Sequence, residues 1–214
     1  KLMKGKKSNV FIYMILTILA VVFLAPIFII LFNSFKGKLY ISDAPFKLPT
    51  AETFSGLQNY IDGLSKTGFL SAFGWSIFIT FFSTFVIVLF TAMTGWYITR
   101  SKTKVSTSLY FIFVFSMIVP FQMVMFTMSK VANMLNLDNP VGLIVLYLGF
   151  GAGLSIFMFS GFVKSIPIDI EEAALIDGCN PIKTFFLIVL PLLKPICITV
   201  AILNVMWIWN DYLL

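Results

Sequence analysis

The sequence predicts an all-α, polytopic membrane protein. Of its 214 residues, 59% are apolar and only 11% are charged, against roughly 45–50% and roughly 25% in soluble domains. The mean hydropathy is +0.99. The apolar residues gather in runs of about 20 or more, the length a helix needs to cross a bilayer, not in the short alternating segments of a membrane barrel. The same balance excludes a water-soluble globular enzyme, and it excludes a disordered chain, which needs low hydrophobicity and high charge.

Five spans are expected. The first covers Val10 to Phe32, carries no charge and contains Pro26. Lys1, Lys4, Lys6 and Lys7 precede it, as in a secretory signal peptide. Its apolar run of about 23 residues exceeds the roughly 7–15 of a signal core, so it reads as a retained span. Residues 33–67 are polar, with Pro45, Pro49, Gly56 and Gly63, and form the longest segment outside the membrane. The second span runs from Gly68 to Thr99, long enough for tilt or an interfacial lead-in. Arg100, Lys102 and Lys104 follow at once, and the third span covers Val105 to Met128. A polar link with Lys130, Asn133, Asn136, Asp138 and Pro140 leads to the fourth, Val141 to Val163. Residues 164–194 form a loop whose last part is already apolar and contains Pro191; Pro195 to Leu214 is the fifth span. The chain starts at Lys1 rather than Met and stops at Leu214 inside an apolar stretch, so we expect a piece of a longer protein.

Loop charge orients the spans, because basic residues concentrate in cytoplasmic loops. With the N-terminus inside, ten of the 15 basic residues are cytoplasmic: Lys1, Lys4, Lys6, Lys7, Arg100, Lys102, Lys104, Lys164, Lys183 and Lys194. Lys36, Lys38, Lys47, Lys66 and Lys130 lie outside. Segment 33–67 then faces outward and the 164–194 loop faces the cytoplasm. The net charge of +6 reads as a topology signal, not as a nucleic-acid footprint.

That loop punctuates a short helix over 167–177. Pro167 suits a first helical position. Asp169, Glu171 and Glu172 favour the positive end of the helix dipole. Gly178 suits the left-handed residue past the helix end, and Pro181 prevents continuation. Ile166, Ile170, Ala173 and Ala174 share one face, with Asp169 and Glu172 opposite. Such a helix fits a groove in a partner protein or lies on the membrane surface; its acids disfavour the surface, where interfacial helices carry Lys and Arg.

From Glu172 the residues run Glu172-Ala173-Ala174, three more, Gly178, nine more, then Ile188-Val189-Leu190-Pro191. This resembles the EAA signature, E-A-A-x3-G-x9-I-x-L-P, of membrane subunits of binding-protein-dependent ABC importers. Every fixed position matches. Asn33-Ser34-Phe35-Lys36, Asn59-Tyr60 and Trp207-Ile208-Trp209-Asn210-Asp211 are similar to the carbohydrate-uptake branch, close to the maltose-type second permease subunit. The resemblance covers nearly the whole chain. It implies six spans, of which five are visible here, in one permease domain over 1–214 whose C-terminal span is missing. It implies a bacterial inner-membrane protein that pairs with a second permease, two cytoplasmic ATPase subunits and an extracellular solute-binding protein. ATP and Mg would sit on the ATPases, with no cofactor and no enzymatic activity on this chain. Substrate, a sugar or an oligosaccharide, would cross by alternating access. The same machine with an amino acid or another small polar solute as cargo stays open.

The resemblance makes the 167–177 helix the coupling helix, seated on an ATPase. Glu172 would pair with a basic or amide group there, and Ala173 and Ala174 would allow close approach. Gly178 would permit the sharp reversal, and Ile188, Leu190 and Pro191 would lead back into the membrane. Trp207, Trp209, Asn210 and Asp211 are substrate candidates, since sugars stack on aromatic rings and bond to Asn and Asp. Their alternative is an interfacial aromatic belt.

Other features carry less. With no histidine in the chain, zinc motifs and Ser-His-Asp triads are excluded. Cys179 and Cys197 read as unpaired thiols. Gly149-Phe150-Gly151-Ala152-Gly153 lacks the strand before it and the Lys-Ser/Thr after it that a phosphate loop needs; Gly149 and Gly153 read as a close helix-packing step. A membrane enzyme finds no paired carboxylates, and a channel finds no filter-like loop between spans.

Overall fold

The computed structural model describes residues 4–212, and the chain divides into two compact units, residues 1–72 and 73–214. Lys1 of the orientation argument and the last two residues of the expected fifth span lie outside the described residues. The elements are helical throughout the described residues, with one isolated bridge between Lys36 and Phe54.

The first unit holds α1 (Lys4–Asn33), α2 (Lys38–Asp43) and α3 (Gln58–Lys66). Within α1, Val10–Asn33 has a mean hydropathy of 3.1, and Pro26 is accommodated inside the helix. The polar segment after it folds on itself. Asn59 Nδ2 donates to the carbonyls of Ser34 (2.8 Å) and Lys36 (2.7 Å). The hydroxyls of Ser34 and Tyr60 meet at 2.6 Å. Phe35 packs between Phe54 and Tyr60, at 6.3 and 5.7 Å between ring centroids. Lys36 is only 1% exposed; its ammonium donates to Ala44 O at 2.8 Å and lies 5.1 Å from the centre of the Phe32 ring, a cation–π placement. On α3, Lys66 and Gln58 both bond Asp62 and hold its carboxyl below the usual range, Lys66 having the larger effect.

The second unit begins within α4 (Phe69–Ser101) and adds α5 (Lys104–Ser116), α6 (Phe121–Met134), α7 (Pro140–Val163), α8 (Asp169–Ile176), α9 (Pro181–Thr184), a π turn (Phe185–Val189), α10 (Leu190–Leu192) and α11 (Lys194–Trp209). Local chemistry sets the starts. Thr103 and Ser106 form a reciprocal capping box on α5, and Asn139 caps α7 with Pro140 in its first turn. Helices α5 and α11 pack on α7. The core joins Ala92 of α4, Phe159 and Val163 of α7, Phe185 and Val189 of the π turn, and Val200 of α11.

Lipid is as apolar as leucine, so hydropathy does not choose which face of a span turns inward; small and hydroxylated residues do. The buried positions of α4 include Thr80, Ser83, Thr84, Thr91, Ala92 and Gly95. At Gly95 the helices approach closely. A β-carbon there would stand 2.8 Å from Phe159 Cβ and 3.2 Å from the Ser160 nitrogen. Gly153 does the same against α5, 2.7 Å from both Phe113 O and Ser116 Oγ, whereas Gly149 meets nothing within 4 Å. The packing step expected of the Gly149–Gly153 pair therefore belongs to Gly153 alone.

The expected third span, Val105–Met128, is not one straight helix. It breaks between α5 and α6 with a bend of 105°. Pro120 lacks the N–H a continuing helix needs and pushes the residue before it out of helical geometry; it sits extended at φ −63°, ψ 131°. The last stretch also bends, by 77°, between residues 181–192 and α11. Among the described residues, three helices are long and apolar enough to cross a membrane by themselves, and up to five spans result if each bent pair counts as one. Helix α11 has 16 residues, about 24 Å at 1.5 Å per residue, which is short for a bilayer core of about 30 Å.

Gly95→Val should destabilise the purified protein by about 1–3 kcal/mol, the usual cost of overpacking, while Gly149→Val stays near wild type. Thermal unfolding in detergent compares them, and equal losses would refute the α4–α7 contact.

Candidate functional site

Helix α8 occupies residues 169–176, inside the expected 167–177. Pro167 lies just before it, ahead of the Ile168 cap. Its far end is a Schellman closure: the Gly178 nitrogen donates to Leu175 O at 3.0 Å, and the Cys179 nitrogen donates to Ala174 O at 2.9 Å. Gly178 has φ +82°, the left-handed region that glycine alone enters without cost.

The face expected to dock on a partner is split. Ile170 and Ala173 are exposed as that expectation requires, but Ile166 and Ala174 are buried, so Ala174 is not open to a partner, and Glu171 turns in. Glu171 is 6% exposed because it has partners that replace water. Arg100, in the last turn of α4, donates from Nε (2.9 Å) and Nη2 (2.8 Å) to Glu171 Oε1. The same Nη2 reaches Ile166 O at 2.9 Å. Trp96 Nε1 donates to Glu171 Oε2 at 2.8 Å, and its ring lies 5.5 Å from that of Phe185. Removing one member of such a pair strands a buried charge, at about 3–5 kcal/mol. Sequence reading placed Glu171 among the first-turn acids without a partner, because Arg100 lies 71 residues away.

Outward, the helix presents Asp169, Glu172 and Ala173, with Leu175 and Ile176; Ile176 is 87% exposed. Exposed apolar side chains beside two carboxylates make this an amphipathic surface.

The second half of the motif is a helix with one widened turn. Leu190 N bonds back to Phe185 O, five residues earlier. Pro191 follows; a proline cannot donate to the carbonyl four residues before it, and the wider turn precedes it. Ile188 and Leu190 are half-buried, while Val189 between them is fully buried. Leu190 and Pro191 line an apolar surface groove with Phe85, Val88 and Cys197.

The four substrate candidates divide: Trp207 and Asp211 both meet Tyr147, by an edge-on ring contact at 5.5 Å and by a hydrogen bond, while Trp209 and Asn210 do not join them. Trp207 lines a cleft of about 300 Å³ with Ser116 and Phe121 at the α5–α6 bend, Phe150 and Gly151 of α7, and Asn204 of α11. Trp209 instead stands edge-on to Phe73 at 5.8 Å. Asn210 Nδ2 donates to Met206 O at 2.6 Å. Asp211 accepts from the Tyr147 hydroxyl at 2.9 Å. Asn204 was missed by sequence reading, although an amide within a span is itself a signal. It is buried and donates to Ser155 Oγ (3.2 Å) and Val200 O (2.9 Å).

A family model described as "Binding-protein-dependent transport system inner membrane component" matches residues 87–214. The chain is 40% identical over 197 residues to AmyC of Thermoanaerobacterium thermosulfurigenes, a probable starch degradation products transport system permease protein, covering 92% of this chain and 71% of AmyC. It is 34% identical to the multiple sugar-binding transport system permease protein MsmG of Streptococcus mutans, over 99% of this chain and 76% of that one. It is 31% identical to the melibiose/raffinose/stachyose import permease protein MelC of Bacillus subtilis, over 96% and 74%. The fold matches a chain in the crystal structure of a bacterial ABC transporter involved in import of the acidic polysaccharide alginate, with a TM-score of 0.80, 22% identity, and 99% of this chain and 74% of that chain covered.

At Gly178 an added side chain meets nothing within 4 Å, so its cost is conformational alone. Gly178→Val should destabilise the end of α8 by about 1–2 kcal/mol, and Gly178→Asn by clearly less, since asparagine also serves at this position. Amide exchange at residues 174–179 reads the difference; equal protection in both variants would count against the closure.

Proposed function

The chain belongs to the family of inner-membrane components of binding-protein-dependent transport systems, and on that premise we propose that it is the permease subunit of an ABC importer for a sugar or oligosaccharide. The observation that carries this reading is the loop helix: a capped α8 with its motif residues Glu172 and Ala173 turned outward, in a family whose relatives include permeases named for starch degradation products, raffinose-type sugars and diacetylchitobiose. Those names weigh against an amino acid cargo.

In this reading the N-terminus is cytoplasmic, segment 33–67 faces outward, and the 164–194 loop meets the ATPase. The chain pairs with a second permease. Two ATPase subunits carry ATP and Mg, and this chain carries no cofactor. An extracellular binding protein delivers the solute. Glu172, Ala173 and Ala174 form the coupling helix with Gly178 as its reversal, and Ile188, Leu190 and Pro191 pass its displacement back to the spans. ATP binding favours the conformer in which the ATPase dimer is closed; the spans follow by rocking between two packings. Solute shifts that balance only through differential affinity for the two states.

Trp207 is the member of the aromatic set that faces the cleft, beside the Asn204 amide and Ser116 hydroxyl. A ring next to polar groups suits a sugar, which offers a C–H face and hydroxyl edges. Trp209 and Asn210 are engaged elsewhere, which favours structural roles for them, while Asp211 is tied through the Tyr147 hydroxyl to the ring that packs on Trp207.

The test is uptake by the complete importer in proteoliposomes, with a panel of labelled saccharides and amino acids. We expect ATP-dependent uptake of a saccharide and none of the amino acids; the reverse would discard the sugar reading. Trp207→Ala should raise the apparent KM roughly tenfold, near the upper end of what an aromatic contact contributes, with Trp209→Ala within about twofold of wild type. Gly178→Val should insert and hydrolyse ATP without transport, and normal uptake by it would sink the coupling role.

A further inference from the structure

We infer that Glu171, the neighbour of the motif glutamate, is the positioning residue that locks α8 to α4, so that displacement of the loop helix reaches the bundle through Arg100. This rests on the importer reading above.

The connectivity makes the problem concrete. Helix α8 is joined covalently to α7 and α9, but α4 lies some 70 residues earlier, and its tie to α8 is made by side chains. Both oxygens of the Glu171 carboxylate are used: Oε1 takes two N–H groups of Arg100, and Oε2 takes the indole N–H of Trp96. Trp96 and Arg100 are four apart, so they stand on one face of α4, one turn from each other. The guanidinium fork is planar and cannot lose its charge, and its third bond, to Ile166 O, holds the strand of chain that enters α8. The carboxylate is thus fixed from two turns of α4, and the backbone before it is fixed by the same guanidinium.

Burial gives this tie its stiffness. Glu171 is nearly inaccessible, and the Arg100 side chain is mostly covered, so water and salt compete weakly for either charge. Below them Trp96 packs on Phe185, which belongs to the same core as Ala92, Phe159 and Val200. Successive residues on a helix point about 100° apart, so two adjacent carboxylates divide the work. Glu171 faces the bundle and Glu172 faces outward, free for a partner.

The experiment uses the whole importer, with both permeases, ATPase and binding protein, in vesicles of Escherichia coli lipid. The readout is saccharide transported per ATP hydrolysed. Glu171→Gln and Arg100→Gln should each lower that ratio about tenfold, within the usual range of coupling between sites, while the ATPase still co-purifies and hydrolyses ATP. The double variant should fall no further than the worse single one, because the two groups act as one unit. Trp96→Phe keeps the ring and removes one bond, and should lower the ratio about threefold. Unchanged ratios in Glu171→Gln, or multiplicative losses in the double variant, would overturn the inference and leave the importer reading intact. If Glu171→Gln does not assemble, an unchanged ratio in Trp96→Phe overturns it. A wild-type assembly with no ATP-dependent uptake would overturn the importer reading and this inference together.

Discussion

A guanidinium paired with a carboxylate away from water ties the end of the 33-residue helix α4 to a loop helix far along the chain. The Arg100–Glu171 contact is 2.8 Å, and each group is costly to bury without the other. That cost is a constraint on the whole second unit. It requires α4 to be long enough to carry Arg100 out to the loop, Gly95 to let α4 approach α7, and the π turn to bring Phe185 beneath Trp96. A hydrophobic contact would tolerate sliding. A forked set of hydrogen bonds does not, and it gives the loop helix one orientation.

Much of this was legible in residue order, and what was not legible has physical causes. Run length revealed the apolar helices, of which three among the described residues span alone and two bent pairs make up the rest, and the end of the loop helix was visible because its signal, Gly178, is local. Pro120 stands inside an apolar run long enough for one span, and only its geometry shows that the run turns by 105° and opens the cleft at Ser116 and Phe121. The inner face of α8 was not legible because periodicity ranks apolar residues first. Ile166, Ile170, Ala173 and Ala174 read as one docking face and Glu171 only as a first-turn acid; a cation 71 residues away draws Glu171 inward. For the same reason Trp207 and Asn204, adjacent in the cleft, were separated in the reading by composition, one noticed as an aromatic and the other overlooked as an amide.

The outer segment shows the opposite case, in which weak sequence cues meet in space. Asn33-Ser34-Phe35-Lys36 and Asn59-Tyr60 carry part of the family resemblance, and they are one hydrogen-bonded knot. Asn59 serves two backbone carbonyls at the turn after α1, where the helix end leaves acceptors unpaired. Phe35 supplies the apolar filling between Phe54 and Tyr60. In the first unit, then, these residues of the resemblance hold one another in place.

The widened turn at 185–189 has a consequence for angular phase. Side chains four apart on a regular helix drift around the axis, about 40° per step at 3.6 residues per turn. Phe185, Val189 and Leu193 are four apart and all buried. A turn that closes five residues back takes up that drift and keeps the three in line. A single surplus residue thus keeps one line of side chains on the core on both sides of Pro191, with Ile188 and Leu190 half-buried beside it.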